Sequence, residues 1–278
     1  MTEAYDIVIE GGTVVDGTGA PAFPGAVAIS GETLQILRGP AAASEELAVL
    51  RAGRRIDARG YVVAPDQFLQ RLRALTKTHG MLLVVDEVQS GMGRSGKMFA
   101  IEHANVEPDV VAIAKGIASG LPLGVAVARS ELMTWPPGAH ASTFGGNPVA
   151  CAAALATITL LKDQLVANAA AVGGRLMDGL KALAAKHPLI GDVRGRGLMI
   201  GVELVRDRQT KERATTERDA VVKAAFGKGL LVLGAGKNAI RFSPPLVLTR
   251  EEAETAVRIF DEALTEVEIT VGKNRGAR

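Results

Sequence analysis

The rhythm of hydrophobic and polar positions changes twice along this chain. In the first sixty residues the two alternate. "YDIVIEGGTVVDGTG" sets Ile7, Ile9 and Val14 in a period of two, broken at Gly11-Gly12. "GAVAISGETLQIL" repeats the pattern about a turn at Ser30-Gly31, and "RRIDARGYVVAP" adds another short run. Alternation of this kind predicts strands with one buried face, joined through glycine turns. "AAASEELAVLRAG" fits either a helical turn or a loop.

From about Gln67 the period becomes helical and then vanishes. "DQFLQRLRALTKTHG" puts Phe68, Leu69, Leu72 and Leu75 at helical spacing, with Asp66 as N-cap and Gly80 as stop. "MLLVVDEV", "DVVAIAKG" and "LPLGVAVAR" are continuously apolar, as strands buried within an α/β sheet are. After "STFGGNPVA" an Ala- and Leu-rich helix runs to about Leu165 and continues through "ANAAAVGGRLMDGLKALAAKH". "IGDVRGRGLMIGVELV" predicts strands around glycine turns, "TERDAVVKAAFGKG" a helix, and "LLVLGAGKNAIRFSPPL" a strand pair. A last helix opens at Thr249 with Glu252 three residues on, the spacing of a capping box. This closing section reads as a smaller α+β domain.

Composition narrows the function classes. With 278 residues, 47% of them hydrophobic and 22% charged, the chain can build a sizeable core as one large domain or two smaller ones. A net charge of +2 offers no footprint for nucleic acid or a membrane surface, and the basic tail "KNRGAR" reads as a solvated end. The start has neither a basic region nor a long apolar one, and no apolar run reaches the ~18–20 residues of a membrane span, so a cytoplasmic location is expected. Cys151 has no second cysteine to pair with and reads as a core residue. His79, His103, His140 and His187 lack the spacing of metal ligands, so no metal is expected.

Two charged residues stand out. The run "DVVAIA" ends on Lys115, and "LLVV" ends on Asp86. Burying an unpaired ammonium is costly, so Lys115 either reaches solvent along its stem or is placed to react. In open α/β sheets ligands sit beyond the carboxyl ends of the strands, where the Asp86 carboxylate would favour a cationic group. The plainer alternative is that each merely caps the helix after it. Likewise Val88 fits a core position, Thr143 an N-cap for the Ala-rich helix, and Arg241 and Glu87 structural ion pairs.

The surrounding motifs carry a resemblance. "FLQRLRALTKTHGMLLVVDEVQSGMGRSGKMFAIEH", "PDVVAIAKGIASGLPLG", "STFGGNPVACAAAL", "VRGRGLMIGVEL" and "IRFSPPLVLT" occur in this order. Together they resemble the class III aminotransferases of the ornithine and 4-aminobutyrate type, pyridoxal-phosphate enzymes of fold type I. The resemblance implies that Lys115 bonds the cofactor and carries a proton between the substrate α-carbon and the cofactor. It implies that Asp86 pairs with the ring nitrogen, Gln89 bonds near the ring hydroxyl and Val88 packs under the ring. Thr143 would reach the cofactor phosphate across a homodimer interface, and Arg241 would clamp a substrate carboxylate with its planar fork. The implied reaction is transamination between an amino acid or omega-amino acid and a 2-oxo acid.

The family's phosphate loop, ring-stacking aromatic and the glutamate that pairs with the substrate arginine lie ahead of "FLQRLRAL"; residues 1–60 show no counterpart of the loop or the glutamate, and Tyr5, Phe23 and Tyr61 stay open as the stacking aromatic. Instead, "YDIVIEGGTVVDGTGAPAFPGAVAISG" and "RRIDARGYVVAP" resemble the β segment that opens an amidohydrolase-superfamily N-acyl-D-amino-acid deacylase. In that family "VVAP" leads to an HxH metal motif, whereas here it leads to Asp66-Gln67-Phe68. The expected organisation is α/β. An amidohydrolase-like β segment (1–60) precedes an incomplete fold type I large domain (61–165) and a small C-terminal domain (166–278). Two other readings stand beside transamination. One is a non-catalytic, truncated fusion with an open sheet edge. The other is deacylase chemistry, for which the chain shows no plausible ligand set.

Overall fold

The computed structural model describes residues 4–14, 23–30, 33–38, 51–57 and 66–276, with side chains from 67 to 270. The chain divides into two compact units, one of residues 1–62 with 235–239, the other of the remaining residues. The first unit holds a four-stranded sheet in the order β3-β2-β1-β4, from β1 (Ala4–Val14), β2 (Phe23–Ser30), β3 (Thr33–Arg38) and β4 (Arg51–Asp57). β1, β2 and β3 pair antiparallel, and β4 runs parallel to β1. The expected break at Gly11-Gly12 is a bulge instead. The register shifts between Ile9 and Gly12 while the strand continues, because one extra residue can be absorbed without ending the ladder. The alternatives drawn for "AAASEELAVLRAG" fall mostly outside the described residues.

The second unit opens with α1 (Asp66–Thr78). Gly80 ends it as expected, at φ 63°, while Met81 N returns to Thr76 O at 2.8 Å. A three-stranded sheet follows in the order β5-β6-β7, made of β5 (Val84–Asp86), β6 (Val110–Ile113) and β7 (Val125–Ala128). β5 and β6 are parallel, whereas β7 is antiparallel to β6. Asp109 fastens the far end of this sheet. Its buried carboxylate accepts from Arg73 of α1 at 2.5 and 3.0 Å, from Leu83 N at 2.7 Å, and from Arg129 beyond β7. The Arg73 hydrogen bond, then the Leu83 amide, hold the Asp109 carboxyl at about 2, well below the usual carboxylate range.

α2 (Pro148–Leu160) and α3 (Val166–Lys186) are joined by a π-helical turn, Leu161–Leu165, so the expected boundary between residues 165 and 166 falls inside one continuous helix. This helix corrects one expectation: by length and composition it is long and apolar enough to cross a membrane. Only part of its apolar surface is core, since Val149, Leu155 and Leu160 stand exposed. Ala150, Ala154 and Leu161 pack with Ile113, Ile117 and Met92 under the first sheet, and Ala169, Leu176 and Leu180 join the core of the next. Cys151 is half-buried on α2.

That second core is the larger. β8 (Ile190–Arg196), β9 (Met199–Leu204), β10 (Leu233–Ala235) and β11 (Ala239–Phe242) form a sheet in the order β10-β11-β9-β8. α3, α4 (Thr215–Gly227) and α5 (Arg250–Gly276) supply the other walls. Phe260 of α5 is fully buried, edge-on to Phe242 with ring centroids 5.1 Å apart. The capping box read at Thr249 is present: Thr249 N donates to Glu252 Oε2 at 2.8 Å and Glu252 N to Thr249 Oγ1 at 3.2 Å. His187 ties α5 to the end of α3, with its ring nitrogens 2.7 Å from Asp261 and 2.8 Å from Glu268.

The two layers meet at Gly197, in the β8–β9 turn. A Cβ on Gly197 would lie 2.4 Å from the Ser95 carbonyl carbon, and one on Gly173 of α3 would lie 2.3 Å from Gly197 itself. Only the bare backbone permits this approach.

Candidate active site

Asp86 closes β5 opposite Ala112 of β6, and Lys115 follows two residues after β6 ends at Ile113. Two parallel, hydrogen-bonded strands therefore deliver a carboxylate and an amine to the same, carboxyl-terminal end of the sheet. The ladder reaches one residue further, with Glu87 N donating to Ala112 O at 2.9 Å. Lys115 is exposed, which settles the first question raised by its position: no ammonium is buried. Its Nζ donates to Gln89 Oε1 at 3.2 Å. Its φ is 49°, in the left-handed region that costs a non-glycine residue energy and often marks working sites. The backbone here starts a 3-10 turn, Lys115–Ala118, instead of extending the strand.

Asp86 is also exposed, and its Oδ1 accepts from Val88 N at 2.9 Å, turning the chain after β5. Val88 is half-buried within this turn. Among the described residues no ion pair joins Asp86 to Lys115, so each charge remains available to a ligand.

Strand alternation sends the next side chain the other way. Glu87 is only 1% exposed, and its carboxylate accepts from Ser90 Oγ at 2.5 Å and Ile101 N at 2.8 Å. The ion pair expected for Glu87 is thus replaced by hydrogen bonds to a hydroxyl and a backbone amide. Arg94 then ties the following turn to the second layer. Its Nη1 donates to Leu198 O at 3.3 Å and to Pro244 O, and its own carbonyl accepts from Leu198 N at 3.0 Å.

The remaining candidates come from other segments of the chain. Thr143 lies in an exposed stretch running from Met133 to Val149. It is not the cap of α2. Asn147 is, its Oδ1 accepting from Val149 N at 3.0 Å and Ala150 N at 3.1 Å, since a cap must directly precede the first turn. Arg241 is half-buried on β11 of the other sheet, three residues before the carbonyl that Arg94 holds. Sequence reasoning missed Glu87, Ser90 and Arg94 as builders of the site. The signal for Glu87 was the strand period, which faces one of two adjacent acids inward.

Comparison with known proteins decides the family. The model of the class III aminotransferases matches residues 56–264.

The chain belongs to the class III aminotransferases.

It is 45% identical over 211 residues to a leucine/methionine racemase of Thermococcus litoralis, covering 75% of this chain and 48% of that protein. It is 44% identical over 203 residues to an acetylornithine aminotransferase of a Nostoc species, covering 72% and 46%. Among solved structures it is similar to a pyridoxal-phosphate-bound amine transaminase from an uncultivated Pseudomonas species, with TM-score 0.69 and 36% identity, covering 75% and 50%. The chain thus spans about half the length of the curated relatives it matches. The fold is that of fold type I transaminases, and the cofactor indicated for the family is pyridoxal 5′-phosphate. The exposed groups fit it chemically. Lys115 offers a primary amine to an aldehyde, and Asp86 offers a carboxylate to a protonated ring nitrogen.

Proposed function

We propose that this class III aminotransferase chain carries the lysine side of a pyridoxal-phosphate site and serves transamination between an amino acid or omega-amino acid and a 2-oxo acid. The observation that supports this most strongly is the delivery of Asp86 and Lys115 to one end of the sheet by neighbouring parallel strands. Bound pyridoxal phosphate supplies an electron sink for charge developing at the substrate α-carbon. Lys115 would hold the cofactor, and its Nζ could take and return a proton at the substrate α-carbon. Gln89 orients that amine through its Oε1. Asp86 would supply a negative charge that favours a protonated ring nitrogen. Val88, half-buried in the turn after Asp86, would offer an apolar surface to the ring.

Thr143 binds phosphate in this reading, and its exposed loop suits delivery across a homodimer. Arg241 recognises a substrate carboxylate through its fork geometry. Residues 1–60 are proposed as an amidohydrolase-like β segment that contributes no chemistry of its own.

Incubation with pyridoxal phosphate, borohydride reduction and peptide mapping test the assignment. The expected product is a phosphopyridoxyl group on Lys115, lost in Lys115→Ala. Labelling spread over other lysines contradicts it. The identity to a racemase favours a second reading in which the same lysine returns the proton to either face. Loss of optical activity from one amino-acid enantiomer without any 2-oxo acid would select that reading, and amino transfer to a 2-oxo acid the first. Capture of cofactor without either would select a non-catalytic chain.

A further inference from the structure

We propose that Glu87 is a positioning residue for Lys115, acting through the turn that carries Gln89; this rests on the reading of Lys115 as the cofactor lysine. Glu87 and Asp86 are adjacent acids with opposite fates. Asp86 faces solvent at the sheet edge, while Glu87 is buried beneath it with no cationic partner among the described residues. Such a burial is unfavourable for a carboxylate unless its acceptors are used, and both oxygens are. Oε2 accepts from Ser90 Oγ, which draws the carboxyl-terminal side of the Val88-Gln89 turn inward. Oε1 accepts from Ile101 N in the first turn of the 3-10 segment Ala100–Ala104.

The backbone of Glu87 reinforces the same turn. Its N–H bonds to Ala112 O of β6, and its carbonyl accepts from Gly91 N at 3.0 Å. Gly91 has no room for a side chain, because a Cβ there would lie 2.8 Å from Glu87 O and 3.0 Å from Glu87 Cβ. The 3-10 segment is itself anchored. Gln70 Nε2 of α1 donates to Ala104 O at 2.9 Å, and the His103 ring lies 3.0 Å from Ser95 O. Residues 88 and 89 are thus pinned between β6 on one side and the α1-anchored segment on the other, with Glu87 as the common fastening. Gln89, at the outer tip, is the residue that meets the Lys115 amine. Glu87 therefore sets where Gln89 stands and, through it, which way Lys115 Nζ points.

The test is a double-mutant cycle read on Lys115, with and without cofactor. In the protein free of added cofactor, trace acetylation by acetic anhydride is measured at Lys115 relative to the other lysines. In parallel, the rate of borohydride-trapped phosphopyridoxyl incorporation at Lys115 is measured. Glu87→Ala is expected to change both several-fold in the wild-type background and neither in a Gln89→Ala background. Glu87→Gln, which can still accept from Ile101 N and bond Ser90, is expected to restore wild-type values. Equal effects of Glu87→Ala in both backgrounds would show a merely structural role and overturn the proposal, as would no effect on acetylation. Acetylation that follows the cycle in a protein that traps no pyridoxal phosphate would keep the positioning role while removing the cofactor reading.

Discussion

The two sheets of the second unit treat water differently. In the β8–β11 layer, Ile200, Val202 and Leu204 along β9 are all 0% exposed, enclosed by α3, α4 and α5. In the β5–β7 layer, β5 and β7 are both edges among the described residues, and Val84 and Val127 stand 60% and 51% exposed. The first layer has a closed core of its own. The second is apolar in sequence, like a strand meant to be covered, but is covered on little more than the α2 side. The candidate site lies on the less covered layer, beyond the ends of β5 and β6. Stability and chemistry are therefore divided between neighbouring sheets, joined by Gly197 and the Arg94 contacts.

The division can be broken first at the closed core. Phe260→Ala is expected to cost about 3–5 kcal/mol in urea unfolding, from lost burial and the cavity left behind. A loss under about 1 kcal/mol would show that this layer is not the stabilising one. Asp109→Asn attacks the fastening of the other layer and should lower the melting temperature by several degrees, less than Phe260→Ala. Because the folded carboxyl titrates at about 2, below its ordinary value of 3.8, its contribution is complete above that ordinary value. It fades as pH falls through that value towards the folded one. The difference between wild type and Asp109→Asn should shrink over that window; a difference independent of pH would contradict it.

Removing the cap by Thr249→Ala should cost about 1 kcal/mol in the same unfolding experiment, since Glu252 N in the first turn of α5 loses its Thr249 Oγ1 acceptor. The smallest stability effect is expected at the open face. Val127→Thr should change unfolding by no more than about 0.5 kcal/mol while reducing self-association in light scattering. A large destabilisation there would mean that Val127 is already packed, and the contrast between the layers would fall.

Much of this was legible in the sequence wherever a local rule decides the outcome. Thr249 and Glu252 sit at a spacing typical of a helix start, Gly80 marks a helix end, and Asp86 and Lys115 close two apolar runs that prove to be paired strands. The misses needed information beyond the local pattern. An apolar run does not encode strand direction, so β7 could not be read as antiparallel. Two adjacent acids do not announce which is buried until the strand pleat is fixed, so Glu87 read as an ion-pair partner. Thr143 and Asn147 both have capping side chains, and only the start of α2 at Pro148 chooses between them.

Lys115, at the end of β6, is proposed to receive pyridoxal phosphate beside Asp86. A spectroscopic titration with the cofactor is the decisive test. Wild-type protein is expected to develop a visible absorption band that saturates near equimolar cofactor, and Lys115→Ala is expected to develop none. Identical spectra for wild type and Lys115→Ala would show that Lys115 does not hold the cofactor.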